Sequence, residues 1–163
     1  EWRSEAWAMM RERQDLSFVI ETKREHRFFK ALPDDWEDGY ENVTILCSVE
    51  NQRRADDRIP AFLKLPVRHK GILCEPLLEK LVLDAYLKTG EIAQVLCGGE
   101  EGADARVCDF AWVLELMNQC VRCGVTFRFL RTGTFFRKGN RTYRITEEEQ
   151  EEQARRAGVD YTP

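Results

Sequence analysis

Four glutamates in this chain stand at the ends of short apolar runs, within three residues of each run. Glu21, Glu50, Glu75 and Glu100 follow stretches rich in aliphatic residues and cysteine. Carboxylates that converge on one point can hold a divalent cation for hydrolysis, or they can line a ligand cavity. Burying several of them together costs free energy unless they are paired or bind a cation. The pattern predicts a polar site if the apolar runs lie side by side.

Other polar or small residues lie near these four glutamates at the ends of the apolar runs. Side chains alternate along a strand, so Lys23 shares a face with Glu21, and Ser48 shares one with Glu50. Small residues such as Gly98 and Gly99 let a ligand approach the backbone. We therefore predict a cofactor-binding or substrate-binding cavity, with no catalytic residue or metal ligand assigned, lined by Glu21, Lys23, Ser48, Glu50, Asn51, Glu75, Gly98, Gly99 and Glu100. Two alternatives stay open, namely acids that pair with basic neighbours or cap helices, and glycines that only form a tight turn.

Five apolar runs would position these residues. Helix-like segments separate the runs, which are Leu16–Ile20, Val43–Cys47, Gly71–Cys74, Ile92–Cys97 and Val125–Leu130. Strands that alternate with helices indicate βαβ units and a parallel sheet, in which ligands bind beyond the carboxyl ends of the strands. The 163 residues are too few for a complete eight-unit barrel of roughly 250 residues. The predicted fold is α/β, with about five parallel strands in a partial TIM-type barrel.

The remaining elements follow from helical spacing, caps and turns. Helices are predicted over 1–13, 25–32, 52–65, 110–123 and 147–157, with a short helix and loop in 77–87. Pro60 should break or restart the third helix. Asp109 and Gly124 should cap the fourth, and Thr146 should open the last through a capping box. A β-hairpin is predicted between 134–137 and 141–145. We expect a partial-barrel domain over 1–133 and a hairpin–helix extension over 134–163.

Composition and charge limit the classes of protein and the cell compartments that this sequence fits. The net charge is −4 and the isoelectric point about 5.4, so the whole chain is not a general binder of polyanions. No apolar run reaches the roughly 18–20 residues of a membrane span, and no secretory signal is visible. Three of the six cysteines, Cys47, Cys74 and Cys97, fall inside predicted buried strands. Free cysteine behaves in this way as a small hydrophobe in a reducing compartment, so we expect a cytoplasmic protein without disulfides.

Two weaker motifs have simpler explanations. Cys120 and Cys123 form a C-x-x-C pair without the second ligand pair that a zinc site needs, which favours two packed thiols. A cluster of basic residues between Arg53 and Lys70 could contact phosphate, but Asp56 and Asp57 interrupt it. A solvated helix face is the favoured interpretation of this cluster.

Several short motifs occur in an order that resembles a phage-associated bacterial family of unknown function. The motifs include Glu5-Ala-Trp7, Thr22-Lys23-Arg24, Leu32-Pro-Asp-Asp-Trp36, Ser48-Val-Glu-Asn-Gln52, Ala55-Asp-Asp-Arg-Ile-Pro60, Cys74-Glu-Pro-Leu-Leu78, Gly98-Gly-Glu100 and Asp109-Phe-Ala-Trp112. Members of that family carry an N-terminal three-cysteine motif and are grouped with radical-SAM barrels. The resemblance covers nearly the whole chain.

The resemblance implies a function and also a difference from the family pattern. Family members open with a cysteine cluster that would hold an iron–sulfur cluster, whereas this chain has no such motif and matches the pattern from its middle onward. The chain would then be the C-terminal part of a radical-SAM-like protein of unknown substrate. It would need no cofactor of its own, and S-adenosylmethionine and an iron–sulfur cluster would belong to the longer protein.

Two alternative functions remain open, and the N-terminal edge of the sheet raises the question of self-association. The chain could be a non-enzymatic binding module for nucleic acid or for a phage protein, or a hydrolase that depends on a divalent cation. The binding module is favoured if internal salt bridges close the polar edge and the basic face stays open. If the first barrel strands are missing, the strand at Leu16–Ile20 has an exposed edge. We then expect either self-association through this N-terminal edge or cover by the first helix.

Overall fold

The computed structural model describes residues 2–28, 30 and 32–163. The strands of the described residues are β1 Phe18–Thr22, β2 Val43–Ser48, β3 His69–Cys74, β4 Ile92–Gly98, β5 Cys108–Asp109, β6 Thr126–Arg131, β7 Phe135–Lys138 and β8 Arg141–Arg144. The helices are α1 Trp2–Glu12, α2 Glu25–Phe28, α3 Gln52–Leu63, α4 Asp84–Leu87, α5 Phe110–Cys123 and α6 Glu147–Ala157. None of these helices is long and apolar enough to cross a membrane.

A five-stranded parallel sheet organises the molecule, in the order β1-β2-β3-β4-β6. This confirms the predicted α/β fold with parallel strands and crossover segments. The strand order never reverses. Because crossovers between parallel strands are right-handed, an unreversed order carries the connecting segments to the same face of the sheet. This is the winding of a barrel wall, whereas a doubly wound sheet reverses its order and has helices on both faces.

The hydrophobic core lies on one face of the sheet. Strand residues such as Ile45, Ile72 and Phe127 are fully buried there against Phe62 of α3 and Leu116 of α5. Leu46 and Leu73 are also buried, at 3% and 5% exposure, yet neither belongs to this core cluster. Because side chains alternate along a strand, these two leucines stand on the opposite face.

That opposite face is only partly covered. One row of paired positions across the sheet runs through Glu21, Leu46, Gly71, Gln94 and Thr126, and the next runs through Ser48, Leu73, Leu96 and Arg128. Val19, on the same face of β1, is 61% exposed. The face combines aliphatic with polar side chains and leads to the carboxyl edge, where the predicted site residues stand.

The second, smaller sheet has the order β5-β7-β8. Its antiparallel pair β7–β8 is the predicted hairpin. β5, which pairs in parallel with β7, was not predicted, because two residues are too short to produce a recognisable pattern. The C-terminal segment also returns to the main sheet. The backbone of Tyr161 exchanges two hydrogen bonds of 2.9 Å with Phe127, so this segment occupies the outer edge of β6.

Two local predictions need correction. α3 runs through Pro60 without a break, because the buried side chains of Ile59 and Phe62 hold both sides of this position against the core. Thr146 precedes α6, but its hydroxyl donates to the carboxylate of Glu149 at 2.7 Å and does not accept from the helix backbone, so the box is incomplete.

The other helix predictions need less adjustment. Asp109 accepts a hydrogen bond from Ala111 N at 2.9 Å at the start of α5, and Gly124 ends that helix with a φ of 64°. Both caps were predicted. The predicted helix over 25–32 is α-helical at Glu25–Phe28, and positions 29 and 31 lie outside the described residues.

Candidate functional site

The carboxyl edge of the sheet begins with a contact between β1 and β2. Ser48 is completely buried, and its Oγ donates a hydrogen bond of 2.5 Å to Oε1 of Glu21. The two strands lie in a register that pairs Thr22 with Cys47, which brings the two side chains to the same height. Glu21 is exposed, so Ser48 anchors one oxygen of a carboxylate that still faces solvent.

Glu50, just beyond β2, lies between two cations. Lys23 Nζ is 2.9 Å from its Oε1, and Arg58 Nη1 is 3.1 Å from its Oε2. The same Arg58 nitrogen donates to the carbonyl of Ser48 at 2.6 Å. Burial opposes ionisation of Glu50, but the hydrogen bond from Lys23 and the charge of Arg58 outweigh it and lower its pKa.

Asn51 has a structural role next to this group. Its side chain accepts a hydrogen bond of 2.9 Å from Arg54 N and so caps α3. An N-cap removes one unsatisfied donor and fixes where the helix begins. Arg58 comes seven residues later, and its position against Glu50 depends on that starting point. Asn51 thus orients the site through α3 rather than by contacting the cluster.

Glu75, just beyond β3, is paired with a cation from β6. Its Oε1 lies 2.8 Å from Arg131 Nε, although the N–H is not aligned for a hydrogen bond. Arg131 Nη1 is also 2.8 Å from Glu101 Oε1, so one guanidinium joins two carboxylates. Burial raises the pKa of Glu75, Arg131 acts against that rise, and the charges of Glu101 and Glu21 add to it.

Glu100 is held by Arg106, from its own loop. Arg106 contacts the carboxylate through its backbone N, Nε and Nη2 at 2.7–2.8 Å. These hydrogen bonds lower the pKa of Glu100 to about 2. Together with Glu75 and Arg131, Glu100 borders a shallow cleft of about 270 Å³.

The space beside the two glycines of the predicted cavity is filled by other atoms of the chain. A Cβ at Gly98 would lie 2.6 Å from Glu75 Oε1, and one at Gly99 would lie 2.2 Å from the carbonyl oxygen of Thr132. The absence of side chains lets Glu75 fold over the end of β4 and lets the segment after β6 pack closely. The close approach that we predicted for a ligand is made here by protein atoms.

The structure brings most of the predicted residues together and adds others. Glu21, Lys23, Ser48, Glu50, Glu75, Gly98 and Gly99 meet along one edge, Glu100 borders it, and Asn51 lies behind it. Sequence analysis missed Arg58, Glu101 and Arg131. Arg131 follows the fifth apolar run, so the rule that selected the glutamates would have found it. Arg58 lies inside a helix and carries no such signal.

One further carboxylate near this edge is unusual. Glu25 is only 8% exposed, and its Oε2 has no hydrogen-bond partner among the described residues. Burial raises the pKa of Cys47, and the charge of Glu25 adds to that rise. The sequence offered no sign of this burial, because Glu25 begins the short helix α2 within a charged segment.

The carboxylates of this edge are held mainly by cationic side chains. Within residues 2–28, 30 and 32–163, no group of three or more His, Cys, Asp or Glu side chains could hold a metal. Several of the carboxylates already have a cationic partner. A ligand with both an ammonium and a carboxylate could exchange with these ion pairs.

The cysteines belong to the core. Cys47, Cys74, Cys97, Cys108 and Cys120 are buried and Cys123 is half-buried, all as free thiols. Burial raises the pKa of Cys47 and Cys120 to about 12 and raises that of Cys74 and Cys97 well above 9. Thiolates are the reactive and metal-binding form, so these side chains act as small hydrophobes.

The basic cluster between Arg53 and Lys70 is largely neutralised. Arg68 pairs with Asp38 and Glu41 at 2.7 and 2.6 Å. Lys70 pairs with Glu91 at 3.1 Å, and Arg58 belongs to the edge described above. This surface therefore offers phosphate groups much less charge than its sequence suggests.

Comparison with known proteins gives a family but not an activity. The model of a family described as proteins of unknown function (DUF5131) matches residues 1–161, so the chain belongs to that family. No curated protein and no solved structure matches the chain.

Proposed function

We propose that this member of the DUF5131 family forms the substrate-side wall of a radical-SAM-type barrel and binds a polar ligand at its carboxyl edge. The observation that carries the proposal is the unreversed order of the five parallel strands. In barrels with this winding the helices pack against the outer face of the sheet, and the active sites of barrel enzymes lie at the carboxyl ends of the strands. The exposed Val19 and the polar position Gln94 fit a lining face better than a filled core.

The charge pattern supports a zwitterionic ligand such as S-adenosylmethionine. Its sulfonium group supplies the carbon electrophile or radical precursor when the cofactor is bound. In this chain, Glu21 accepts a hydrogen bond from Ser48 and has no ion pair among the contacts of the described residues. Glu21 is thus the carboxylate best placed to take an ammonium, while Lys23 and Arg131 are the cations that could turn to a carboxylate.

The cysteines of this chain do not fit an iron–sulfur cluster. A cubane cluster needs three thiolates close together, but five of these thiols are buried in the core, where burial raises their pKa values. No three Cys, His, Asp or Glu side chains of the described residues are grouped for a metal. A cluster would have to be held by other residues, and we derive no step through it.

Binding of S-adenosylmethionine by the 163-residue chain tests the proposal. We expect saturable binding in equilibrium dialysis with labelled cofactor, weakened at least tenfold by Glu21→Gln. Glu91→Gln is the matched control, because Glu91 pairs with Lys70 away from the carboxyl edge. Absence of saturable binding to the wild-type chain would overturn the proposal. So would equal binding by the wild type and Glu21→Gln.

The non-enzymatic alternative has mixed support. Internal salt bridges do close much of the polar edge, as a binding module would require. However, the basic cluster proposed as its open face is itself paired with acids. We therefore rank the barrel wall above a nucleic-acid site at that cluster.

A further inference from the structure

The C-terminal hairpin concentrates positive charge in an acidic protein. From Phe135 to Arg144 the sequence contains four basic residues, three aromatic residues and no acidic ones, whereas the whole chain has a net charge of −4. The basic residues are Arg137, Lys138, Arg141 and Arg144. Basic residues interleaved with aromatic ones suit nucleic acid, since cations contact phosphates and rings stack on bases.

The strand register sorts these residues onto two faces. Phe136 lies opposite Tyr143, and Lys138 lies opposite Arg141. Because side chains alternate, these four share one face of the hairpin. Arg137 lies on the other face, where its Nη2 is 2.7 Å from Asp109 Oδ2 and its guanidinium lies 5.9 Å from the Trp112 ring. The first face thus combines two rings with two cations.

This face forms one wall of a cleft against α6 and the start of α5, which we call the hairpin cleft. Its volume is about 340 Å³, within the usual range for ligand sites. The lining residues are Phe110, Phe136, Lys138, Tyr143, Ile145, Gln153, Arg156 and Ala157. Phe110 and Phe136 contact each other edge to face, with ring centroids 5.7 Å apart. The lining therefore combines aromatic and aliphatic side chains with polar and cationic ones.

The positive charges in and beside the cleft are largely uncompensated. Among the contacts of the described residues, neither Lys138 nor Arg141 pairs with a carboxylate, and Lys138 Nζ lies 5.3 Å from the Phe110 ring centroid. Arg156 pairs with Glu152 at 2.5 Å and so contributes less positive charge. A ligand that satisfies this cleft is flat and unsaturated and carries negative charge beside the ring.

Protection of a sheet edge does not account for this arrangement. β8 is an edge strand of its sheet, and lysine or arginine on such a strand discourages pairing with other chains. That role requires charge alone. It gives no reason to leave Tyr143 42% exposed beside an aromatic cleft.

We propose that the hairpin cleft binds single-stranded nucleic acid, with one base stacked on Tyr143 and neighbouring phosphates on Lys138 and Arg141. A single strand fits better than a duplex, because a base must leave its stack to enter the cleft. The cleft shares no lining residue with the carboxyl-edge cleft, so this inference stands or falls separately from the barrel-wall proposal.

Fluorescence anisotropy with a labelled 12-nucleotide single strand at low salt tests the inference on the full chain. We expect binding that Tyr143→Ala weakens about fivefold or more, the lower end of base–aromatic stacking. The double variant Lys138→Ala/Arg141→Ala should also reduce the slope of log K against log salt by about 1.4, or 0.7 for each lost phosphate contact. All three of these side chains are exposed, so circular dichroism should show that both variants fold as the wild type does.

The matched control is Arg53→Ala/Arg54→Ala, which removes two exposed cations from α3 in the rival basic cluster. Unchanged affinity of this control supports the assignment. Three results would overturn it: no binding by the wild-type chain, equal or tighter binding of a duplex of the same sequence, or a loss in the α3 control as large as in the hairpin variants. A mononucleotide that binds as tightly as the 12-mer would also overturn the assignment to a strand.

Discussion

Glu75 and Arg131 lie 2.8 Å apart at the carboxyl edge, yet the pKa of Glu75 is raised. Burial of the carboxylate is the largest cause of this rise in pKa. The charge of Arg131 offsets only part of the rise, and the same guanidinium is also paired with Glu101. Keeping the Glu75 carboxylate ionised in this partly buried position therefore costs free energy. Such groups are common at binding sites, where a ligand can relieve them.

The raised pKa predicts a stability profile with a definite sign. The folded state holds the Glu75 proton more tightly than the unfolded state, for which the ordinary value is 4.5. Stability should therefore fall as the pH rises from about 4.5 through the folded pKa. Glu75→Gln cannot titrate, so urea unfolding should show the wild type losing stability relative to this variant over that range.

Glu100 supplies a control of opposite sign. Its pKa is lowered to about 2, so its contribution is present above 4.5 and is lost as the pH falls towards 2. Glu100→Gln should therefore differ most from the wild type near neutral pH and least in acid. Parallel profiles for Glu75→Gln and the wild type would contradict the burial argument.

Arg58→Ala should be strongly destabilising. Its side chain is 13% exposed, pairs with Glu50 at 15% exposure, and bonds the carbonyl of Ser48. Removing one partner of a buried pair leaves an uncompensated charge, and we expect a loss of about 2–3 kcal/mol because Lys23 still compensates part of it. Arg54→Ala breaks an exposed pair with Asp57 and should cost under about 0.5 kcal/mol. Equal unfolding midpoints in denaturant would refute the prediction.

Asn51→Ala should lower the free energy of unfolding by about 1 kcal/mol, because α3 loses its N-cap. Asn51→Ser should restore most of the loss, since serine caps helices as well as asparagine does. Asn118→Ala, at an exposed position inside α5, is the control and should be neutral or slightly stabilising. A loss in the control as large as in Asn51→Ala would exclude the capping explanation.

Thiol chemistry should separate one cysteine from the other five. Cys123 is half-buried and should react first with a thiol reagent in the native protein. The buried thiols should become reactive only on unfolding, because burial also raises pKa values such as that of Cys47, to about 12. Denaturing, non-reducing conditions should reveal six free thiols. A disulfide or stoichiometric zinc would be incompatible with the packed core.

β1 should promote self-association. Among the strands of the described residues it pairs only with β2, and an unpaired strand edge can recruit another chain. Light scattering should show a molar mass that rises with concentration. Val19→Lys, at a residue that is 61% exposed, should shift the protein towards monomer because edge charge opposes pairing. A wild-type monomer at every concentration would show that the edge is inactive or covered.

Local patterns determined most of the architecture. The five apolar runs and the helices between them predicted the parallel sheet, because strand and helix periodicity are written in neighbouring residues. The caps Asp109 and Gly124 and the hairpin turn were visible for the same reason. The rule that strand ends meet at one edge of a parallel sheet also placed Glu21, Glu50 and Glu75 at the same edge from the sequence alone.

Tertiary structure decided what those residues do. Whether Glu50 faces a ligand or an ion pair depends on Arg58 from α3, and the state of Glu75 depends on Arg131 from the last strand of the sheet. The space beside Gly98 and Gly99 is filled by other atoms of the chain. Pro60 is tolerated inside α3 because the residues on both sides of it pack in the core. Burial, pairing and desolvation arise between residues far apart in sequence, so local patterns cannot encode them.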